Sequence, residues 1–333
     1  MQKKFKWGIL GCAGIAESQF LPALQDVEQA ELWAIGSSDL SKAQAWATSW
    51  GAQRAYGSYI DVLDDPEVEA VYIPLPNHLH AEWTIKALQA KKHVLCEKPM
   101  AVTVEQAEKM LQVAQEEQRL FMEGFMYRFH PQISQALSWI EEGQLGEVSL
   151  IRGSFSFLMD DWENIRLQEV PGAGSLWDVG CYPIHFMNLV FGGPPRSVLA
   201  KGNFHEGTMV DLSMAGLLDY GQGRQGLFDC SFERDRRSSL EIVGTEATIT
   251  IPVPWRADRQ EVALSLHKGN LRHEVTYPIN NPYQREIEHF HACIEGVAQP
   301  LLPGFLGRDL VATIKACYLA ASQGTEIQLT INN

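Results

Sequence analysis

The stretch KWGILGCAGIAESQF, residues 6–20, admits few folds. An apolar run stops at Gly11, small residues follow, and a helix-forming segment takes over. Gly11, Ala13 and Ala16 fall at the spacing G-x-G-x-x-G/A of a dinucleotide-binding turn, with alanine in the second place and Gly14 beside it. The first position permits a tight turn, the second lets the backbone approach a pyrophosphate, and the third lets the helix pack on the strand. Cys12, Ala13, Gly14 and Ile15 complete the loop that would line the nucleotide. Such a turn works only inside a βαβ unit, so this part of the chain is committed to a parallel sheet.

The pattern that follows agrees. Strands are expected at residues 6–10, 31–36, 68–74, 93–96 and 120–123. Helices are expected from the glycine loop to about Gln25 and over residues 41–50, 80–90 and 103–118. Trp46 and Trp50, at i,i+4, read as a core face. Alternating β and α segments with short connections mean a doubly wound parallel sheet.

After Gly124 the rhythm changes. A helix over residues 130–142 is followed by extended segments at 148–158, 197–204, 210–219, 226–232, 239–243, 248–251, 262–266 and 273–277. Turn signals such as YGQGRQG and HKGN separate them, and helices at 284–296 and 307–323 follow. The expected architecture is α/β, with a dinucleotide-binding domain over residues 1–124. A second domain over 125–333 would be built on a large open, mostly antiparallel sheet. Few helices remain to cover that sheet, so its free face is expected to pair with a second copy in a symmetric homodimer.

At 333 residues and a formal net charge of −14, the chain suits neither nucleic acid nor an anionic membrane as a partner. It has no apolar run of the roughly 18 residues needed to span a bilayer. The basic start MQKK lacks the apolar length and cleavage site of a signal peptide. Six scattered cysteines without C-x-x-C spacing read as buried thiols of a cytoplasmic protein.

Cofactor choice should be decided after the second strand, in Gly36-Ser37-Ser38-Asp39 with Lys42 one turn on. Ser37, Ser38 and Lys42 can hold the 2′-phosphate of NADP. Asp39 either binds a ribose, which would suit NAD, or caps the helix beginning at Ser41. NADP is the favoured reading, with NAD the other.

Five segments, GILGCAGIA, IPLPNHLHAEWTIKAL, CEKPMA, MEGFMYRFHPQ and GAGSLWDVGCYPIHF, resemble those of the Gfo/Idh/MocA oxidoreductases over essentially the whole chain. Within that family the likeness is nearest to NADP-dependent D-xylose dehydrogenases and dimeric dihydrodiol dehydrogenases. The resemblance implies a Rossmann domain followed by an α/β domain. It implies that Glu97 and Lys98, with Leu75, Asn77 and His80, lie along the nicotinamide half of the cofactor. It also makes Lys98, Asp178 and Tyr182 the catalytic set. Tyr182 stands where many relatives carry histidine.

A tyrosine with an ordinary pKa near 10 is a weak base at neutral pH, and a neighbouring lysine cation favours its phenolate. Lys98 with Tyr182 would make an acid–base pair for an alcohol, with Asp178 orienting the lysine or the substrate. Arg128, Asp160, Trp162 and Arg166 are the candidates for a sugar or diol pocket. His78 with His80, and Glu286 with His289 and His291, have metal-like spacing. They read better as a loop and as surface or interdomain packing, so no metal is expected. The leading function is a dehydrogenase of an aldose or cyclic diol. Its rivals are a ketoreductase of a sugar nucleotide or inositol, and an NADP-sensing regulator without turnover.

Overall fold

The computed structural model describes residues 4–329, so part of the basic start, residues 1–3, lies outside the described residues. The chain divides into two compact units. The first runs to Met126 and includes Asn281–Gly304; the second comprises Tyr127–Asn280 and the chain from Phe305 onward. A single cut at 124/125 therefore misses a returning segment.

In the first unit, β1 (Phe5–Leu10) leads through a π-helical turn at Ala16–Phe20 into α1 (Leu21–Gln25). Then come β2 (Ala30–Gly36), α2 (Leu40–Trp50), β3 (Arg54–Tyr56), α3 (Tyr59–Asp64) and β4 (Ala70–Ile73). They are followed by α4 (His80–Gln89), β5 (His93–Glu97), α5 (Val104–Glu117) and β6 (Phe121–Gly124). The strands form one parallel sheet in the order β3-β2-β1-β4-β5-β6. That is the doubly wound order in which ligands bind beyond the carboxyl ends of the strands, where β1 and β4 part. Central strands of such a sheet are covered on both faces, and β4 is buried at every residue. The helices start where short polar side chains take up free amides: Asp39 for α2, Ser58 for α3 and Thr103 for α5. Each cap contributes about 1 kcal/mol.

The short β3 and α3 were not anticipated, being too brief to show a period. Trp46 and Trp50 are only half-buried; the buried residue of α2 is Ala43. Of the six cysteines, all free, Cys12 and Cys293 are likewise only half-buried.

The second unit begins with α6 (Pro131–Glu141) and β7 (Val148–Ser156). A second π-helical turn, Leu176–Gly180, leads into α7 (Cys181–Phe191). The remaining strands are β8 (Ser197–Phe204), β9 (Asp211–Gly221), β10 (Arg224–Ser231), β11 (Arg237–Gly244), β12 (Thr248–Ile251), β13 (Val262–Lys268), β14 (Leu271–Tyr277) and β15 (Ile327–Gln328). They form one nine-stranded sheet, β14-β13-β12-β11-β7-β10-β9-β8-β15. All pairs are antiparallel except β7 with β10. Helix α7, unforeseen because it is apolar almost all round, lies on one face. It sits so close that a Cβ at Gly153 of β7 would come within 2.5 Å of Pro183.

The two late helices serve different units. α8 (Pro282–Ile294) belongs to the first and most of α9 (Gly304–Gln323) to the second. Glu286 and His291 of α8 are not surface residues: both are 1% exposed. His291 Nε2 accepts from the Trp7 indole at 2.9 Å, and its ring stacks on Phe5. No helix among the described residues is long and apolar enough to cross a membrane.

Candidate active site

In the first unit, candidate residues gather beyond the ends of β1, β2, β4 and β5. Gly11 has φ +111°, a conformation that L side chains rarely adopt, and a Cβ there would stand 2.8 Å from Leu75. Its amide donates to Gly36 O at 2.9 Å, bringing the loop to the end of β2. Nothing lies within 4 Å of where a Cβ of Gly14 would be, so this part of the loop is open. Ala16, fully buried, starts the helical segment that packs back.

Cys12 sits among the candidate phosphate-binding groups. Burial raises its thiol pKa, while the Lys42 cation and a hydrogen bond with Ser37 oppose the rise. Ser37 is buried and Ser38 exposed. Asp39 Oδ1 accepts from the amides of Ser41 at 2.9 Å and Lys42 at 3.2 Å, which makes it the cap of α2. The residues present fit an adenosine 2′-phosphate: an open loop, two hydroxyls, and a lysine that makes no ion pair among the described residues.

The next segments are tied together by His80. Its Nδ1 lies 2.8 Å from Pro99 O and its Nε2 2.7 Å from Leu75 O. Burial lowers its pKa to about 4, against the pull of both carbonyls. Both partners are carbonyl oxygens, so a neutral ring donates to only one of them at a time, and the imidazole lies between the Leu75 loop and the turn that carries Lys98. His80 is structural here, with a carbonyl beside each nitrogen.

Lys98 precedes a cis-proline bond, and its turn is anchored by two carboxylates. Glu97 accepts from the Tyr72 hydroxyl at 2.6 Å and from the backbone N–H of Lys98 at 3.3 Å. Glu123 on β6, which sequence reasoning passed over, accepts from the Met100 amide at 2.7 Å. Burial raises the Glu123 pKa to about 8, opposed by that hydrogen bond and by the Lys98 cation, with Glu97 adding to the rise.

In the second unit, Asp178 lies in the π-helical turn and Tyr182 at the start of α7, four residues on. Asp178 Oδ2 pairs with Arg166 Nε at 3.2 Å, so the structure joins two of the expected residues. Tyr182 is 7% exposed and ringed by Phe155, Tyr127 and Trp255, with centroids 5.5, 5.8 and 5.9 Å away. Beside it, Tyr127 Oη and His185 Nδ1 are 2.7 Å apart. Burial lowers the His185 pKa to about 3, helped by the nearby Arg128 cation. Arg128 is itself buried, with its Nε hydrogen unsatisfied, and desolvation lowers its pKa.

His185 was missed, although it stands three residues after Tyr182, on the same helical face. Asp160 and Trp162 lie in an exposed loop. The Trp162 ring meets His205 at 5.3 Å, and Gln168 donates to its carbonyl at 2.7 Å. No group of three or more His, Cys, Asp or Glu side chains among the described residues is arranged to hold a metal ion.

Residues 5–125 match a model described as an oxidoreductase family with an NAD-binding Rossmann fold, and residues 133–250 match a GFO/IDH/MocA C-terminal domain. A D-xylose 1-dehydrogenase (NADP(+)) from Haloferax volcanii is 33% identical, over 97% of this chain and 99% of its own. A trans-1,2-dihydrobenzene-1,2-diol dehydrogenase from Xenopus tropicalis is 30% identical, over 93% and 95%. Among solved structures, a 3-ketoreductase from Actinomadura kijaniata in complex with NADP and TDP-benzene superposes with TM-score 0.87. It is 28% identical and is matched over 94% of this chain and 97% of its own.

Proposed function

The chain belongs to the Gfo/Idh/MocA oxidoreductase family, and on that premise we propose that it is an NADP-preferring dehydrogenase of an aldose or cyclic diol. In this reading Tyr182 and Lys98 handle the hydroxyl proton. A bound nicotinamide cofactor supplies the hydride-accepting ring. Gly11, Cys12, Ala13, Gly14 and Ile15 would face its pyrophosphate, and Ser37, Ser38 and Lys42 its 2′-phosphate. Leu75, Asn77 and Glu97 would line the nicotinamide half, with the buried His80 holding the Leu75 loop behind them.

The observation that carries the reading is the setting of Tyr182. Its phenol is buried in an aromatic ring of neighbours, on the helix whose preceding turn holds the Asp178–Arg166 ion pair. A phenol in such surroundings keeps its proton unless a cation stabilises the phenolate, and in this proposal Lys98 provides that cation. Tyr182 then takes the substrate hydroxyl proton during oxidation and returns it during reduction. Asp178 and Arg166 orient the neighbouring hydroxyls by accepting and donating hydrogen bonds, while Arg128, Asp160 and Trp162 border the pocket. The likeness to the solved ketoreductase favours a second reading, reduction of a keto sugar nucleotide by the same residues run in reverse.

The proposal includes a homodimer. The outer face of the nine-stranded sheet carries a concavity of about 860 Å³, lined by apolar Leu199, Leu217 and Leu227 and by charged Arg152, Arg237 and Glu241. A self-complementary mixture of that kind suits an isologous contact. The reading assigns the chain to the cytoplasm, supported by its six free cysteines.

The test is a spectrophotometric screen of aldoses, cyclic diols and keto sugar nucleotides with NADP(H) and NAD(H). Turnover of an aldose or diol with NADP is expected. Turnover confined to keto sugar nucleotides would favour the second reading, and none with any of them would overturn both.

A further inference from the structure

The carboxylate of Asp211, the first residue of β9, is completely buried. Its Oδ2 accepts from the Ser175 hydroxyl at 2.6 Å and from the Leu176 amide at 2.8 Å. Its Oδ1 accepts from the Tyr318 hydroxyl of α9. A buried carboxylate is tolerated only when its oxygens are satisfied in this way. Burial raises its pKa to about 6, with these hydrogen bonds opposing the rise, so it is ionised at neutral pH and acts as an acceptor.

Three donors converge on one side chain at the entrance to the segment that carries Asp178 and Tyr182. Leu176 opens the π-helical turn, Asp178 is two residues further on, and Tyr182 follows the turn by two residues. Gly174, with φ +107°, is pressed so closely against Asp211 that no Cβ fits; the Tyr318 hydroxyl would stand 2.9 Å from it. The Gly174 amide in turn donates to Arg166 O at 2.9 Å, and its carbonyl accepts from the Asp178 amide at 3.2 Å. The Arg166 guanidinium reaches Asp178 at 3.2 Å. Asp211 thus holds a tripeptide, Gly174–Leu176, whose backbone fixes both partners of that ion pair.

We propose that Asp211 is a positioning residue that sets the register of the Asp178–Tyr182 segment and of the Arg166 loop through its bonds to Ser175, Leu176 and Tyr318. The proposal rests on the reading that Asp178 and Tyr182 serve catalysis. Its effect is geometric: displacement of a catalytic group by about 1 Å costs on the order of 10²-fold in rate. Asp211→Asn keeps the side chain's shape and one acceptor oxygen. Asp211→Ala keeps neither, and Tyr318→Phe removes a single donor.

The test measures turnover of the cofactor and substrate found active for the wild type, together with backbone hydrogen exchange over residues 160–182. The expected kcat loss is about 10²-fold for Asp211→Ala and less for Asp211→Asn and Tyr318→Phe. The Michaelis constant for the cofactor should stay within about twofold, and exchange should quicken at residues 174–178 and in the Arg166 loop. If Asp211→Ala does not fold, Asp211→Asn and Tyr318→Phe carry the test alone. A folded variant with wild-type kcat, or with slowed turnover but wild-type exchange across 160–182, overturns the proposal. Absence of activity in the wild type would instead sink the dehydrogenase reading, and the exchange measurement would still decide whether Asp211 fixes the segment.

Discussion

The carboxylate of Asp39 closes on the backbone amide of Lys42, 3.2 Å away, and on that of Ser41 at 2.9 Å. An acidic residue after β2 is the usual mark of a ribose-binding NAD site. Here one of its oxygens caps a helix, and the proposed function assigns the lysine one turn on to a phosphate. Lys42→Ala should therefore raise the Michaelis constant for NADP about tenfold or more and leave that for NAD nearly unchanged. Steady-state kinetics with both cofactors checks this; equal effects would make Asp39 the deciding residue.

Lys98→Met retains length and removes the cation, and Tyr182→Phe removes only the hydroxyl. Loss of an electrostatic contact to a reacting centre lowers turnover by about 10²–10³. Each variant should lose about that much in the hydride-transfer step observed before steady state. Residues that act as one unit are non-additive, so the double variant should lose little more than either single one. Additive losses, or normal turnover in Lys98→Met, would separate the two residues.

Glu123 makes a pH signature. Its folded pKa, about 8, is raised from an ordinary 4.5, so between those values the folded chain binds the proton that the unfolded chain has released. Stability from this group is therefore highest below about pH 4.5 and falls as pH rises toward 8. Glu123→Gln keeps an acceptor for the Met100 amide and cannot titrate. Chemical denaturation at pH 5 and pH 8 should show the variant gaining on the wild type by a few kcal/mol at the higher pH.

The histidines act oppositely. His93 and His291, at about 4, and His185, at about 3, are all lowered by burial. In the window between those values and 6.5 the unfolded chain holds more protons, so their contribution is complete above pH 6.5 and is lost as pH falls toward 4. Replacing His93, whose Nδ1 accepts from the Leu120 amide at 3.0 Å, with Gln should flatten the acid limb of the stability profile.

The outer sheet face supplies the quaternary prediction. Leu217→Glu with Leu227→Glu places four carboxylates across a two-fold contact, and like charges at a packed face oppose association. Light scattering at micromolar concentration should give a dimer for the wild type and a 37.3 kDa monomer for the variant. A monomeric wild type would remove the homodimer from the proposal.

Most of the first unit was legible because its longer strands and helices carry their own signals: a buried apolar run, a polar cap, a glycine turn. The Asp39 cap was one of two readings the residues allowed, and the structure shows the cap, made by one of its two oxygens. In the second unit the strands were legible by alternation, but α7 was not, because a helix buried almost all round has no amphipathic period. Asp211 and Glu123 gave no local signal either. Each is an acid within an apolar strand, and its meaning comes from a donor 35 or 23 residues distant in sequence. His291 misled for a related reason: its place on the helix suggested surface and interdomain packing, whereas the Trp7 indole, 284 residues away in sequence, donates to it.

The return of Asn281–Gly304 to the first unit has a consequence for synthesis. The hydrogen-bond acceptor for Trp7 and the ring that covers Phe5 are both supplied by His291, nearly three hundred residues downstream. A ribosome at about 5–20 residues per second needs on the order of 15–60 seconds to deliver it. Until then the nascent sheet carries an indole and a phenyl ring with part of their cover missing. A fragment ending at residue 126 is in the same position permanently, so the nucleotide-binding unit reaches its full set of contacts only after most of the other unit has been made.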